Sequence, residues 1–227
     1  MPELRTDAPS VPADAVLDRE AALDRMRPIM GWFTEHEARL LLDTAERALR
    51  ETGEDCAVVE IGSYYGRSTV LLASAVQDLR PAARVTAIDP HDGLISMSGQ
   101  NDERGPSTYE AFCRSLRAAG VWDVVEVVQQ RSVAVVWGEP IGLLFIDGLH
   151  DYDSVRADFE HFREWIAPGG FVGFHDYAPG FPGVTRFVDE LRSDPEYRDQ
   201  DRAGDLIVLR RRSPDGDGAR EAPGGTR

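Results

Sequence analysis

The chain has 227 residues, 42% of them hydrophobic and 29% charged, with a formal net charge of −15 and a pI near 4.7. That acidity argues against a nucleic-acid or anionic-membrane partner, since both need a basic footprint, and the only Lys/Arg cluster is Arg210-Arg211-Arg212. No apolar run is long enough to span a bilayer, no signal-peptide pattern opens the chain, and two cysteines, Cys56 and Cys113, suit a reducing cytoplasm rather than a disulfide framework.

Residues 1–15 mix Pro, Ala, Asp and Val without a period and are expected to form a flexible arm, and residues 213–227 a disordered tail. Between them, 16–212 is expected to be a single domain with a substantial core. Its first segment, 16–30, offers a short helix with Leu17, Ala21 and Met26 as apolar contacts. Packing on the domain, covering a pocket and building a homodimer contact are all open to it. Thr34 and Glu37 form a capping box, and the helix they open sets Ala38, Leu41, Leu42, Ala45 and Leu49 on one face before Gly53.

Val58 to Thr69, V-V-E-I-G-S-Y-Y-G-R-S-T, reads as a buried strand, a tight turn through Gly62 and Gly66, and the opening of a helix to about Leu79. Arg84 to Asp89 is a second strand ending in a carboxylate. His91 to Pro106 is a long polar loop, and the stretch around Ser96 to Arg104 is a candidate lid. Ser107 with Glu110 makes another capping box, for a helix burying Phe112 and Leu116, and Val124 to Val128 is a third strand. Ile141 to Gly148 is a continuous apolar strand covered on both faces. Asp153 is expected to cap a helix with Val155, Phe159, Phe162 and Ile166 in register, closed by Pro168-Gly169-Gly170. Phe171 to His175 is a fifth strand, Val184 to Leu191 a helix, and Tyr197 with Leu206 to Leu209 a closing antiparallel pair. Strands alternating with helices predict a doubly wound, mostly parallel α/β sheet with helices on both faces.

Ligands of such sheets bind outside the carboxyl ends of the strands, at the switch point. The residues there are Glu60 and Gly62, then Asp89, the Gln130-Arg131-Ser132 region, Asp147, and His175-Asp176. Acidic groups recur at successive strand ends, a regularity that packing does not require. Gly62 and Gly66 permit a sharp turn and a close ligand approach, and the helix start beyond them offers free N–H groups.

The spacing E-x-G-x-x-x-G lacks the close G-x-G pair of dinucleotide folds and resembles the cofactor motif of class I S-adenosylmethionine-dependent methyltransferases. Further on, F-I-D-G-L-H-D-Y-D-S-V-R-A-D-F-E-H-F and A-P-G-G-F-V-G-F-H-D-Y resemble small-molecule O-methyltransferases similar to macrocin- and cephalosporin-pathway enzymes, with the likeness running from about Val58 to Tyr177. The resemblance implies a cofactor site of Glu60, Gly62, Ser63, Tyr64, Gly66, Ser68, Asp89, Ser132 and Asp147, in which Asp89 accepts the ribose hydroxyls and Ser132 lies by the adenine. Helix capping accounts for Ser132 equally well.

The resemblance also implies a divalent metal, Mg²⁺ or Mn²⁺, at Asp147, His175 and Asp176. A histidine in that set favours Mn²⁺ or Fe²⁺ over Mg²⁺, and a plain hydrogen bond between Asp147 and His175 is the alternative. His150, His175 and Asp176 are the candidate catalytic residues, with His150 the preferred base and Asp151 and Tyr177 as helpers. Bonding of His150 to Asp176 or Asp153 for structural reasons is the competing account. His36, His91 and His161 are expected on solvated surfaces. Tyr64 and Tyr65 are expected to pack rather than cover a ligand, and Trp32 and Phe33 to act as core staples rather than line an acceptor pocket. The expected activity is O-methylation of a small polar acceptor in specialised metabolism. The alternative is the same fold repurposed for acid–base chemistry without methyl transfer.

Overall fold

In the computed structural model, residues 11–92, 94–95, 100–101 and 108–213 are described. The elements in chain order are α1 (Arg19–Met26), α2 (Glu35–Glu51), β1 (Ala57–Ile61), α3 (Arg67–Leu79), β2 (Val85–Ile88), β3 (Leu94–Ile95), β4 (Gln100–Asn101), α4 (Thr108–Ala119), β5 (Val125–Val128), β6 (Ile141–Ile146), α5 (Tyr152–Phe162), β7 (Ile166–Phe174), α6 (Pro182–Arg192), β8 (Tyr197–Ala203) and β9 (Leu206–Arg211). The main sheet has seven strands in the order β5-β2-β1-β6-β7-β9-β8, and β3 pairs with β4 apart from it. From β5 to β7 all neighbours are parallel, while β9 runs antiparallel to both β7 and β8. The expected doubly wound sheet and its closing antiparallel pair are both present.

Each central strand is apolar on both faces because each face is covered. Val58, Leu143, Phe145 and Phe171 turn towards the layer of α1, α2, α3 and α4. Their alternating neighbours Val59, Leu144, Ile146, Val172 and Phe174 turn towards α5 and α6. This is the two-residue strand period read once for each core.

The 16–30 segment packs on the domain, with Leu17, Ala22, Leu23, Met26 and Ile29 buried. Arg67, the first residue of α3, fastens its far end: the guanidinium donates to the carbonyls of Phe33, at 2.8 Å, and of Met26 and Ile29. Of the expected arm, Val11 and Ala15 lie against the core. Most of the expected lid, the cap expected at Ser107 and nearly all of the tail fall outside the described residues.

Several boundaries differ from expectation. Asp151, not Asp153, caps α5, because its extended backbone turns the carboxylate onto the Ser154 N–H at 2.9 Å. That helix ends at Phe162, and Ile166 already begins β7, which runs nine residues through Pro168-Gly169-Gly170. The strand absorbs this breaker sequence by a shift in the β6–β7 register between Ile141 and Leu143 and by a positive φ of 78° at Gly169. Among the described residues, no helix is long and apolar enough to cross a membrane.

Candidate active site

The parallel ladder continues one residue past each strand, and this aligns the polar residues along the carboxyl edge. Gly62 donates its N–H to Ile88, Asp89 to Val128, Asp147 to Ile61 and His175 to Ile146, at 2.8 to 3.1 Å. Asp89, Gly62, Asp147 and His175 therefore stand in a row over β2, β1, β6 and β7, astride the switch point.

On the β1–β2 side, the turn from Gly62 to Gly66 is tightly determined. Both glycines have φ of 86°, and a Cβ on Gly62 would lie 2.1 Å from the Asp147 carbonyl oxygen. At Gly66 it would press on the Phe112 ring at 3.1 Å. The missing side chains thus admit protein neighbours, not open ligand space. Tyr64 also adopts a left-handed conformation, φ 44°, which directs its N–H onto Asp89 Oδ2 at 2.8 Å, while His91 N–H binds Oδ1 at 2.7 Å. The Ser63 hydroxyl is buried in the turn without a hydrogen-bond partner among the described residues. Glu60 is fully buried beneath it, accepting the hydroxyls of Ser68 and Thr69 at 2.5 Å each. Burial pushes its carboxyl up to about 8 against the effect of those two bonds.

On the β6–β7 side, charge organises the cluster. His175 Nδ1 faces Asp147 Oδ1 at 3.2 Å and Asp176 Oδ2 at 3.3 Å, and its Nε2 lies 3.7 Å from Glu37 Oε2. Burial alone would lower the imidazole, but Asp147, Asp176 and Glu37 outweigh it and push it up to about 12. Asp176 is held well below the usual carboxylate range, because bonds from His150 and His175 override its burial. Of the two carboxylates within reach of His150 in sequence, Asp176 is the one it meets, Nε2 to Oδ2 at 2.7 Å, with Phe181 edge-on to the ring. One ligand atom each from Asp147, His175 and Asp176 falls within a 4.8 Å span, a mixed oxygen and nitrogen set that fits Mn²⁺ or Fe²⁺ better than Mg²⁺.

A family model described as a methyltransferase domain matches residues 59–177, just over half of the chain, from β1 through both sides of this cleft. The chain belongs to the methyltransferase domain family. An uncharacterised protein of Sinorhizobium fredii is 29% identical over 59% of this chain but only 15% of its own length. One from Acanthamoeba polyphaga mimivirus is 24% identical over 62% of each. The chain thus spans less than two thirds of both curated relatives. Among solved structures, the O-methyltransferase NovP superposes with a TM-score of 0.65 at 18% identity, covering 89% of this chain and 92% of NovP. TomG of Streptomyces achromogenes, solved with SAM, gives 0.57 at 19% identity over 86% and 89%. At these identities the likeness is one of fold, a Rossmann-like methyltransferase fold.

Several other side chains of this methyltransferase domain that the sequence singles out are engaged with neighbours of their own. Ser132 donates its hydroxyl to Asp158, a carboxylate on α5 that burial pushes up to about 6. Asp151 caps its helix, and the Tyr177 hydroxyl donates to Asp189 at 2.6 Å, so both side chains are committed outside the cluster. Phe33 packs on the His175 ring at 4.9 Å, whereas Trp32 is 68% exposed and tilts against Tyr64 at 5.8 Å, which itself stacks on Tyr65 at 4.0 Å. His36 is exposed as expected. His91 is not: its left-handed backbone, φ 52°, turns the ring inward against Tyr109 and Phe112, with Nδ1 3.2 Å from the Thr108 hydroxyl. His161 is half-buried, its Nε2 2.8 Å from the Val135 carbonyl.

Glu37 and Asp158 were not among the residues singled out for a site. In the sequence a capping box accounts for Glu37, and no local pattern joins Asp158 to Ser132.

Proposed function

We propose that the chain is an S-adenosylmethionine-dependent O-methyltransferase acting on a hydroxyl of a small polar metabolite, of the kind made in specialised metabolism. The observation that carries this reading is the row of Gly62, Asp89, Asp147 and His175 along one sheet edge, with the buried Ser63 hydroxyl left for a ligand atom. NovP and TomG are O-methyltransferases, TomG is involved in tomaymycin synthesis, and a Bacillus cereus O-methyltransferase was solved with SAH. These support the choice of cofactor and of a small acceptor. The two free, buried cysteines suit a reducing cytoplasm.

S-Adenosylmethionine supplies an electrophilic methyl group when bound. Asp89 keeps lone pairs beyond those that accept the Tyr64 and His91 N–H groups, enough to take a ribose diol. The N–H groups opening α3 and the Ser63 hydroxyl suit the polar remainder of the cofactor. An acceptor hydroxyl must lose its proton on methylation, and His150 would take it as general base. Its Nε2–H is held by Asp176 at 2.7 Å, which orients the ring. A divalent ion at Asp147, His175 and Asp176, Mn²⁺ or Mg²⁺, would lower the pKa of the acceptor hydroxyl.

The test is transfer of labelled methyl to a panel of sugar, amino-acid and phenolic hydroxyls, with and without EDTA. Transfer that falls by about 10²- to 10⁴-fold in His150→Ala is the expected result. Tight cofactor binding with no transfer to any acceptor would contradict the reading and favour repurposed acid–base chemistry.

A further inference from the structure

Glu37 belongs to the first turn of α2, yet its carboxylate reaches the strand-end cluster, where it is 3% exposed. Helix capping explains only part of its surroundings. Oε2 accepts the Thr34 N–H at 2.7 Å and the Thr34 hydroxyl at 2.6 Å, which is the capping box. Oε1 accepts the Asp205 N–H at 2.9 Å from the β8–β9 turn. That turn is shaped for the contact: Gly204 has φ of 55°, and a Cβ there would lie 2.6 Å from Glu37 Oε1. Two segments of chain separated by most of the sequence thus converge to immobilise one carboxylate.

The fixed carboxylate faces His175. Nε2 of that ring is buried and has no hydrogen-bond partner among the described residues, and Glu37 Oε2 stands 3.7 Å from it. Nδ1, on the opposite side of the ring, faces Asp147 and Asp176, and Phe33 packs against the ring at 4.9 Å. An imidazole bounded in this way has one orientation available to each nitrogen.

We propose that Glu37 is a positioning residue for His175, keeping a proton on Nε2 so that Nδ1, on releasing its own proton to solvent as an ion binds, presents its lone pair where Asp147 and Asp176 converge. The proposal rests on the metal-assisted reading of that cluster. A ligating imidazole must be neutral with a single N–H, and a carboxylate behind that N–H fixes the tautomer and raises the basicity of the opposite nitrogen. The sequence supplies this carboxylate from a helix start, so the first turn of α2 serves the helix and the site together.

Mn²⁺ affinity, followed by electron paramagnetic resonance on the full chain without cofactor or acceptor, provides the test. Glu37→Gln is expected to weaken binding by about 10- to 100-fold. Asp18→Ala, which removes the cap of α1 and leaves Glu37 and its partners in place, is expected to bind as the wild type does. Equal affinity of Glu37→Gln and wild type overturns the role of Glu37 while leaving the metal reading intact. A wild type that does not bind Mn²⁺ overturns both. If Glu37→Gln fails to fold, long-range ¹H–¹⁵N spectra of the histidine-labelled wild type with Zn²⁺ decide the matter. A proton on Nε2 of His175 with Nδ1 ligated is expected, and a proton on Nδ1 overturns the proposal.

Discussion

On the β1–β2 side of the cleft the polar groups are held by backbone and hydroxyl hydrogen bonds, whereas on the β6–β7 side they are held by opposite charges. The first side is a matter of close approach: Gly62 against the Asp147 backbone, Tyr64 N–H on Asp89, and Ser68 and Thr69 hydroxyls on Glu60. The second sets His150 and His175 among Asp147, Asp176 and Glu37. Each side is therefore vulnerable in its own way. Geometry breaks the first, at any pH; loss of one charge breaks the second, and pH modulates the damage.

Gly62→Ala should have the largest effect, because the new Cβ meets a backbone carbonyl at 2.1 Å and the φ of 86° adds strain. A loss of about 4 kcal/mol or more is expected by chemical denaturation. Gly120→Ala, with φ of 70° but nothing within 4 Å of its Cβ, isolates the conformational part at about 1 kcal/mol. His175→Ala removes the cation between three carboxylates, at an expected cost of about 3 to 5 kcal/mol near neutral pH. That deficit should shrink as acid protonates Glu37 and Asp176. For Glu37 the sign is definite. Its carboxyl falls from 4.5 to about 2, so the stability it contributes is present above 4.5 and lost as pH falls towards 2.

Arg67→Ala should cost about 1 to 3 kcal/mol by stranding the carbonyls of Met26, Ile29 and Phe33, with faster hydrogen exchange confined to residues 26–34. A further effect is a change of slope. Glu60 is raised from 4.5 to about 8, so the folded protein binds more protons than the unfolded chain between those values, and stability declines as pH rises through that window. Glu60→Gln should flatten that decline in thermal melts recorded from pH 5 to 8.

Much of this was legible in the sequence, for reasons tied to particular residues. The apolar runs at Val58–Ile61 and Ile141–Ile146, each ending in or beside a carboxylate, gave both the buried parallel strands and the row at their ends. Pro168-Gly169-Gly170 misled because local propensity predicts a break, while pairing with β6 carries the strand through it. Asp151 replaces Asp153 as the cap because its backbone is extended, with ψ of 155°, a feature that spacing does not encode. Glu37 was hidden by its own good explanation: a capping box accounts for Thr34-x-x-Glu37, and only the tertiary fold brings it to His175. His91 looked like a loop residue because its left-handed backbone, which buries the ring, leaves no mark in the sequence.

The most direct test of the division between the two sides is calorimetric titration with S-adenosylmethionine and S-adenosylhomocysteine of the wild type, Asp89→Ala and His150→Ala. The account predicts micromolar binding by the wild type, its loss in Asp89→Ala, and affinity within about twofold of wild type in His150→Ala. Binding that survives in Asp89→Ala, or that fails in the wild type, would contradict it.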